Sequence, residues 1–318
     1  MVPTISLDLD DLWASLKTHG DEGWRDRPSF LGIVVPRALA FFAARGLRAT
    51  FFAVGRDAAD PRHRDVFSAI AEAGHEVGNH SFDHEPWFHL YSRDRARDQI
   101  VAAEEAIESA TGRRPVGYRA PGFSFTRDVL EELALRGYRY DASVCPSSLG
   151  PLVTAYYLST ARFTGEARRR LGRVGGTLSG ALRPSRPFRW PTSAGPLLEI
   201  PVSTFPFLRF PVHASYLQCL PRKAALACFA TAARIWQSTG RAPSFLLHST
   251  DFLGAEDTGR LSFVPGMRRS SGEKIDLLDR LLDLASGLGR PVTLGERADD
   301  LSSLSLPIRS RPAPSGAS

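Results

Sequence analysis

The sequence predicts an α/β fold organised on a parallel sheet or barrel, and three observations carry that reading. Short runs of apolar, β-branched and aromatic residues alternate with longer stretches of helical period through the first half of the chain. Several of the helical stretches stop at a glycine, as helix C-termini commonly do. Finally, polar residues with chemical potential sit at or just past the ends of strand-like runs, which is where a parallel barrel gathers its functional groups.

Residues 3–9 (PTISLDL) read as the first strand, 34–46 (VVPRALAFFAARG) as a helix ending at Gly46, and 48–54 (RATFFAV) as the second strand. A helix over about 62–73 stops at Gly74 and is followed by the short strand EVGN, whose exit carries His80. Ser92 is a ready N-cap for a long helix over 92–111, and a further helix over 126–136 ends at Gly137. Buried strands are also expected in GYRAPGFSFT (117–126) and YRYDAS (138–143). The repeat breaks over about 146–215, a segment of mixed Pro, Gly, aromatic and Arg residues too long for an ordinary connection. Beyond it, 222–238 reads as a helix, 244–250 as the strand delivering His248, 272–287 as a helix and 291–295 as a last strand. The Ser-, Pro- and Arg-rich tail from 301 to 318 is expected to be disordered. The organisation is therefore one main domain, 1–300, with an insertion at 146–215.

With 318 residues and 43% hydrophobic content the chain can bury one large core. Three cysteines, Cys145, Cys219 and Cys228, contain no C-x-x-C and suggest neither a disulfide framework nor a zinc knuckle. The net charge of +6 comes almost wholly from arginine, without a recognisable nucleic-acid module, so no nucleic-acid partner is expected. The first residues lack a basic segment followed by an apolar one, and no run approaches the ~20 apolar residues that span a bilayer. The expectation is a cytoplasmic protein.

Chemistry concentrates in a few segments. In ISLDLDD, Asp8 and Asp10 are two apart, so on a strand they share a face. HEVGNHSFDH adds His80 and His84. One carboxylate with two imidazoles is a sound ligand set for a divalent transition metal, and a spare carboxylate beside it could take a proton from water. Arg119, Asp141 and His248 stand at or after the ends of three further strand-like runs. A guanidinium favours the charged form of a nearby carboxylate, and an imidazole that titrates near neutrality can protonate a leaving nitrogen. The residues thus point to metal-assisted hydrolysis.

Taken in order, these segments resemble the polysaccharide deacetylase family, also called the NodB-homology or carbohydrate esterase family 4 domain, in its D-x-D form. The resemblance implies a distorted (β/α) barrel of about seven parallel strands with the insertion over its mouth. It implies Asp8 as catalytic base, Asp10, His80 and His84 as ligands of one divalent metal, Arg119 as the group that holds Asp8, and His248 as general acid. Zinc is the expected metal, with cobalt, manganese, iron and nickel as alternatives. The loop at Pro121, Gly122, Phe123 and Ser124 would shape the groove and supply a backbone donor to the developing oxyanion. Trp87, Asp141 and His213 complete the candidate substrate contacts, with His89 and Tyr91 nearby. Many members have adjacent aspartates, so Asp11 stays open as a substitute ligand or base. The Asp-Trp segment that tunes the histidine in many members is not evident here, and Asp141, Glu199 or Asp251 could replace it.

The implied activity is removal of an N-acyl group, above all acetyl, from an amino sugar carried on a lipid or an oligosaccharide precursor. Deformylation and the hydrolysis of cyclic imides or ureides belong to the same scaffold. Two histidines and a carboxylate also describe a non-haem iron oxygenase, and a glycan-binding module without catalysis is a third reading. Neither has use for Asp8, Arg119 and His248. Between 160 and 190 there are eight arginines against one acid, Glu166, with Phe163 and Trp190 in the same stretch and Tyr156 and Tyr157 just before it. This stretch reads either as a solvated cover packed on the barrel or as a peripheral contact with an anionic membrane surface.

Overall fold

The computed structural model describes residues 1–163, 165, 168–169 and 178–309. Its centre is an eight-stranded curled sheet: β1 (Thr4–Leu9), β2 (Thr50–Ala53), β3 (Glu76–Asn79), β4 (Gly117–Tyr118), β5 (Tyr140–Asp141), β6 (Phe188–Trp190), β7 (Leu197–Glu199) and β8 (Ser244–His248). The order is β6-β7-β5-β4-β3-β2-β1-β8. Every neighbouring pair is parallel except β6 with β7. Seven strands therefore form the expected parallel array, and β6 is an added antiparallel edge. After β7 the chain bends toward β8, where the Ser203 N–H donates to Ser244 O at 3.1 Å and the Ser244 N–H to Ser203 Oγ at 2.8 Å. These bonds draw the two sides of the sheet together into a distorted barrel.

The period of two along β1 sorts its side chains. Ile5, Leu7 and Leu9 join the large core under the helices Leu31–Ala43, Arg222–Ser238 and Ser271–Ser286, while Ser6 and Asp8 face inward. A second core lies between the sheet and the helices Arg93–Thr111 and Arg127–Leu135. The base of the barrel interior is closed by the helix Leu294–Ser302, whose Leu294, Ala298 and Leu301 pack on Phe52, Tyr140 and Leu198. Burying each leucine is worth about 2 kcal/mol. The N-terminal N–H groups of that helix find Thr50 Oγ1 and Glu76 Oε2, both at 2.8 Å.

Four expectations change. Residues 291–295 are not a strand: a single bridge joins Val292 to Thr4, and a Thr293–Glu296 capping box then starts the helix. That helix runs to Ser302, and Ile308 bridges Arg189, so the tail's first nine residues are ordered against the sheet; 310–318 lie outside the described residues. The stretch 146–215 is not all cover, because β6 and β7 belong to the sheet. A helix over Leu12–His19, capped by Asp11 and by the left-handed Gly20, fills a region in which no element was anticipated.

Candidate active site

The strands deliver their polar residues to one end of the barrel. Asp8 is register partner of His248 across β1 and β8, so both project from the same face. Arg119 follows β4 and is 0% exposed. Its Nη1 donates to Asp8 Oδ1 at 2.6 Å and to Ser6 Oγ at 2.8 Å, and its Nε to Ala142 O at 3.1 Å. The guanidinium lies 4.3 Å from the Phe52 ring centroid. Asp8, 3% exposed, is thus held by a fully buried cation.

Asp10 stands one residue beyond β1, at the rim. Its Oδ1 lies 2.9 Å from His84 Nε2 and 3.4 Å from His80 Nε2, yet makes no hydrogen bond of good geometry to either. The three ligand atoms fall within 4.8 Å of one another. His80 Nδ1 donates to Arg119 O at 2.7 Å, which fixes the tautomer and turns Nε2 toward Asp10. His84 is placed by a left-handed backbone, φ 49°, in a loop whose Ser81 has φ 61° and donates its N–H to Asn79 Oδ1. Burial alone would raise the Asp10 carboxyl, but His84 and His80 beside it hold it well below the usual carboxylate range. Three lone-pair donors aimed at one point without satisfying each other fit a divalent metal.

Asp11 takes no part in this trio. Its Oδ1 accepts the N–H groups of Leu12 at 2.7 Å and Phe30 at 2.8 Å, capping a helix on the far side of the turn. Asp141 and Glu199 are also elsewhere. They share the register row of Tyr118, whereas Asp8 lies on the row of Phe52 and Gly78, and adjacent rows of a pleated sheet face opposite ways. Both carboxyls are fully buried on the outer face; Asp141 accepts from Ser143 Oγ, and Glu199 from Val144 N and Trp190 Nε1. Burial raises both, and each sits beside the other; Asp141 is pushed up to about 6. Neither is a substrate contact or a partner of His248.

The partner of His248 is Ser215. Its Oγ lies 2.9 Å from His248 Nδ1 and donates to Asp251 Oδ2 at 3.1 Å, which also accepts the His248 N–H at 2.8 Å. Asp251 is legible three residues after His248, but Ser215, in an unremarkable ASYL turn, carries no sequence signal. His213 packs 5.5 Å from the His248 ring, and burial, with His248 and Arg119 nearby, keeps it neutral well below its ordinary range.

Trp87 gives its N–H to Glu85 and meets Phe163 edge-on, so it joins the His84 loop to the insertion. Gly122 has φ 58°, and a Cβ there would meet Pro86 at 2.9 Å. Phe123 and Ser124 spend their N–H groups on Ala120 and Pro121, and Ser124 Oγ bonds His89 Nδ1 at 2.6 Å. The backbone donor expected of this loop is therefore not at either residue. His75, whose Nδ1 accepts the Ala49 N–H, is a buried structural group.

Residues 21–140 match the family model described as polysaccharide deacetylase. A peptidoglycan deacetylase of Helicobacter pylori is 32% identical over 149 residues, 46% of this chain and 50% of that protein. The chain thus spans about half the length of that relative. In fold it is similar to a putative polysaccharide deacetylase of Mycobacterium smegmatis, with a TM-score of 0.66, 19% identity, and coverage of 98% of this chain and 96% of that one. An allantoinase superposes with a TM-score of 0.56 at 15% identity, over 95% of this chain and 90% of its own.

Proposed function

We propose that this chain is a member of the polysaccharide deacetylase family and a metal-dependent hydrolase that removes the N-acetyl group from an amino sugar. The observation that carries the reading is the pairing of buried Asp8 with His248 across β1 and β8, next to the Asp10–His80–His84 trio. A zinc-like ion on that trio would acidify water and polarise the acyl oxygen. Asp8, oriented by Arg119, accepts the proton of the attacking water. His248 donates a proton to the departing nitrogen, since an amine leaves only when protonated, and Ser215 with Asp251 holds the ring for that step. In this reading His213, Trp87, Pro121 and Phe123 are the candidate walls of the sugar groove.

The substrate we favour is a sugar precursor on a lipid phosphate, met at the inner membrane surface. Support comes from the insertion, where Phe207 and Leu208 are 80% and 65% exposed on a turn bonded to Ser148 and Arg183. Apolar tips beside arginines suit an anionic surface. Among the described residues no helix is long and apolar enough to cross a membrane.

One assay tests both levels. The zinc-loaded protein is given N-acetylated and N-formylated amino-sugar conjugates, free and on anionic vesicles, with a cyclic ureide as a further arm. Acetate release that chelator abolishes, and that His80→Ala or His84→Ala loses at least a hundredfold, is expected. Turnover of the ureide alone would overturn the deacetylase reading. Equal turnover of free and vesicle-borne sugar would remove the membrane part.

A further inference from the structure

Beneath the turn that carries Asp10 lies a second cluster, formed by Asp11, Asp57 and His63. These are 0%, 2% and 6% exposed. They arrive from three places: the end of β1, the helical turn Gly55–Ala58 after β2, and the turn Pro61–His63. One oxygen of each carboxylate is occupied. Asp11 Oδ1 takes two backbone N–H groups, and Asp57 Oδ1 accepts from Trp13 Nε1 at 2.6 Å. Asp11 Oδ2 and Asp57 Oδ2 are buried with no hydrogen bond of good geometry, the Ser29 hydroxyl standing near the Asp11 carboxyl. His63 Nδ1 is 3.3 Å from Asp57 O, which leaves Nε2 for another contact. One ligand atom from each residue lies within 4.8 Å of the others.

An unpaired buried carboxylate oxygen costs several kcal/mol unless something compensates it, and here two share one space. The nearby cations Arg27 and Arg62 both bond Asp60, at 2.6 and 2.8 Å, and act on the cluster only through space. Burial and the adjacent Asp11 carboxylate push the Asp57 carboxyl well above its ordinary range. Were both oxygens ionised neither could donate to the other; a proton on Asp57 or a cation between the two relieves this, and the third ligand atom offered by His63 favours the cation. A divalent cation answers both the charge and the missing donors.

We infer that Asp11, Asp57 and His63 form a second metal site, separate from Asp10, His80 and His84, that takes a borderline divalent ion of the zinc or cobalt kind. Two carboxylates and an imidazole leave the occupied site without net charge. Ligand atoms around zinc at about 2.0–2.2 Å stand about 3.4 Å apart in a tetrahedron, so a trio within 4.8 Å of one another needs to close by no more than about 1.4 Å on binding. Burial makes this a structural site. It ties the turn after Asp10 to the segment after β2, and so fixes the approach of the Asp10 carboxylate. The inference does not depend on the substrate or on deacetylation.

The test is zinc stoichiometry and thermal unfolding of the full chain after chelation and dialysis. The wild type is expected to bind two zinc ions and His80→Ala/His84→Ala one, with zinc still raising the unfolding midpoint of that double variant by several degrees. Adding Asp57→Asn or His63→Gln to it should abolish both the remaining ion and the shift. One ion in the wild type, with no zinc-dependent shift in the double variant, overturns the site whether or not the further variants fold. So does a second ion that survives both Asp57→Asn and His63→Gln, because it would then reside elsewhere.

Discussion

Replacing Arg119 by methionine tests whether the buried pair with Asp8 is a coupled unit. Methionine fills similar space against Phe52 but removes the donors to Asp8 and Ser6, at 2.6 and 2.8 Å, and to Ala142 O at 3.1 Å. It leaves a carboxylate that is 3% exposed without its counter-charge. Removing one partner of such a pair costs about 3–5 kcal/mol, whereas a surface pair would cost less than about 1. With an m-value of about 3 kcal/mol/M, the urea midpoint falls by about 1–1.7 M. Asp8→Asn strands the guanidinium instead and should also destabilise, but Asp8→Asn/Arg119→Met strands no charge. The double variant is therefore expected to cost at least about 2 kcal/mol less than the sum of the singles. Urea unfolding of the four proteins reads this directly. Additivity within about 0.5 kcal/mol would refute the coupling, and with it the idea that Arg119 is buried in order to hold Asp8.

The Ser215–Asp251 chain should act on turnover and not on binding. Asp251→Asn and Ser215→Ala are expected to lower kcat by about ten- to a hundredfold with KM and metal content unchanged, and Ser215→Thr to restore most of it; a change confined to KM would contradict the role. The Asp141–Glu199 pair predicts the sign of a stability profile. Both carboxyls are raised in the folded state by burial, Asp141 to about 6 and Glu199 well above its ordinary range, so the folded chain binds more protons than the unfolded one above about pH 4. Their contribution is complete below that value and is lost as pH rises through 6 and beyond. Glu199→Gln should flatten that decline in unfolding experiments between pH 4 and 8, and an unchanged slope would count against the shared burial.

Much of this arrangement is written in short-range pattern. The alternation of TISLDL dictates which residues of β1 face the barrel interior, and glycines 46, 74 and 137 mark helix ends where the backbone turns left-handed. Asp8, Asp10, His80, Arg119 and His248, which the structure brings to one end of the barrel, were likewise legible, because each lies in or just past an apolar, strand-like run. What was not legible depends on contacts distant in sequence. Ser215 meets His248 only through the packing of the turn Ala214–Leu217 on β8. Asp141 resembles a strand-end functional residue, and only the register of β4, β5 and β7 reveals that it points outward. The T-x-x-E signature at Thr293 was available, yet the β-branched PVT before it reads as strand, and tertiary closure of the barrel base decides in favour of the helix.

The DLDD segment shows how little separates one role from another. Asp8 and Asp10 project one way because they are two apart, and Asp11, one further, caps a helix and faces the opposite side of the turn. A slip of one residue in the pairing of β1 with β2 and β8 would put Leu7 and Leu9 into the polar interior and Asp8 into the main core, a change that six buried strand residues oppose together. The register is thus set by the apolar members of the strand. The acids inherit their positions from it, and that is why the spacing of the two aspartates, more than their number, decides which lies beside Arg119 in the interior and which stands at the rim beside His80 and His84.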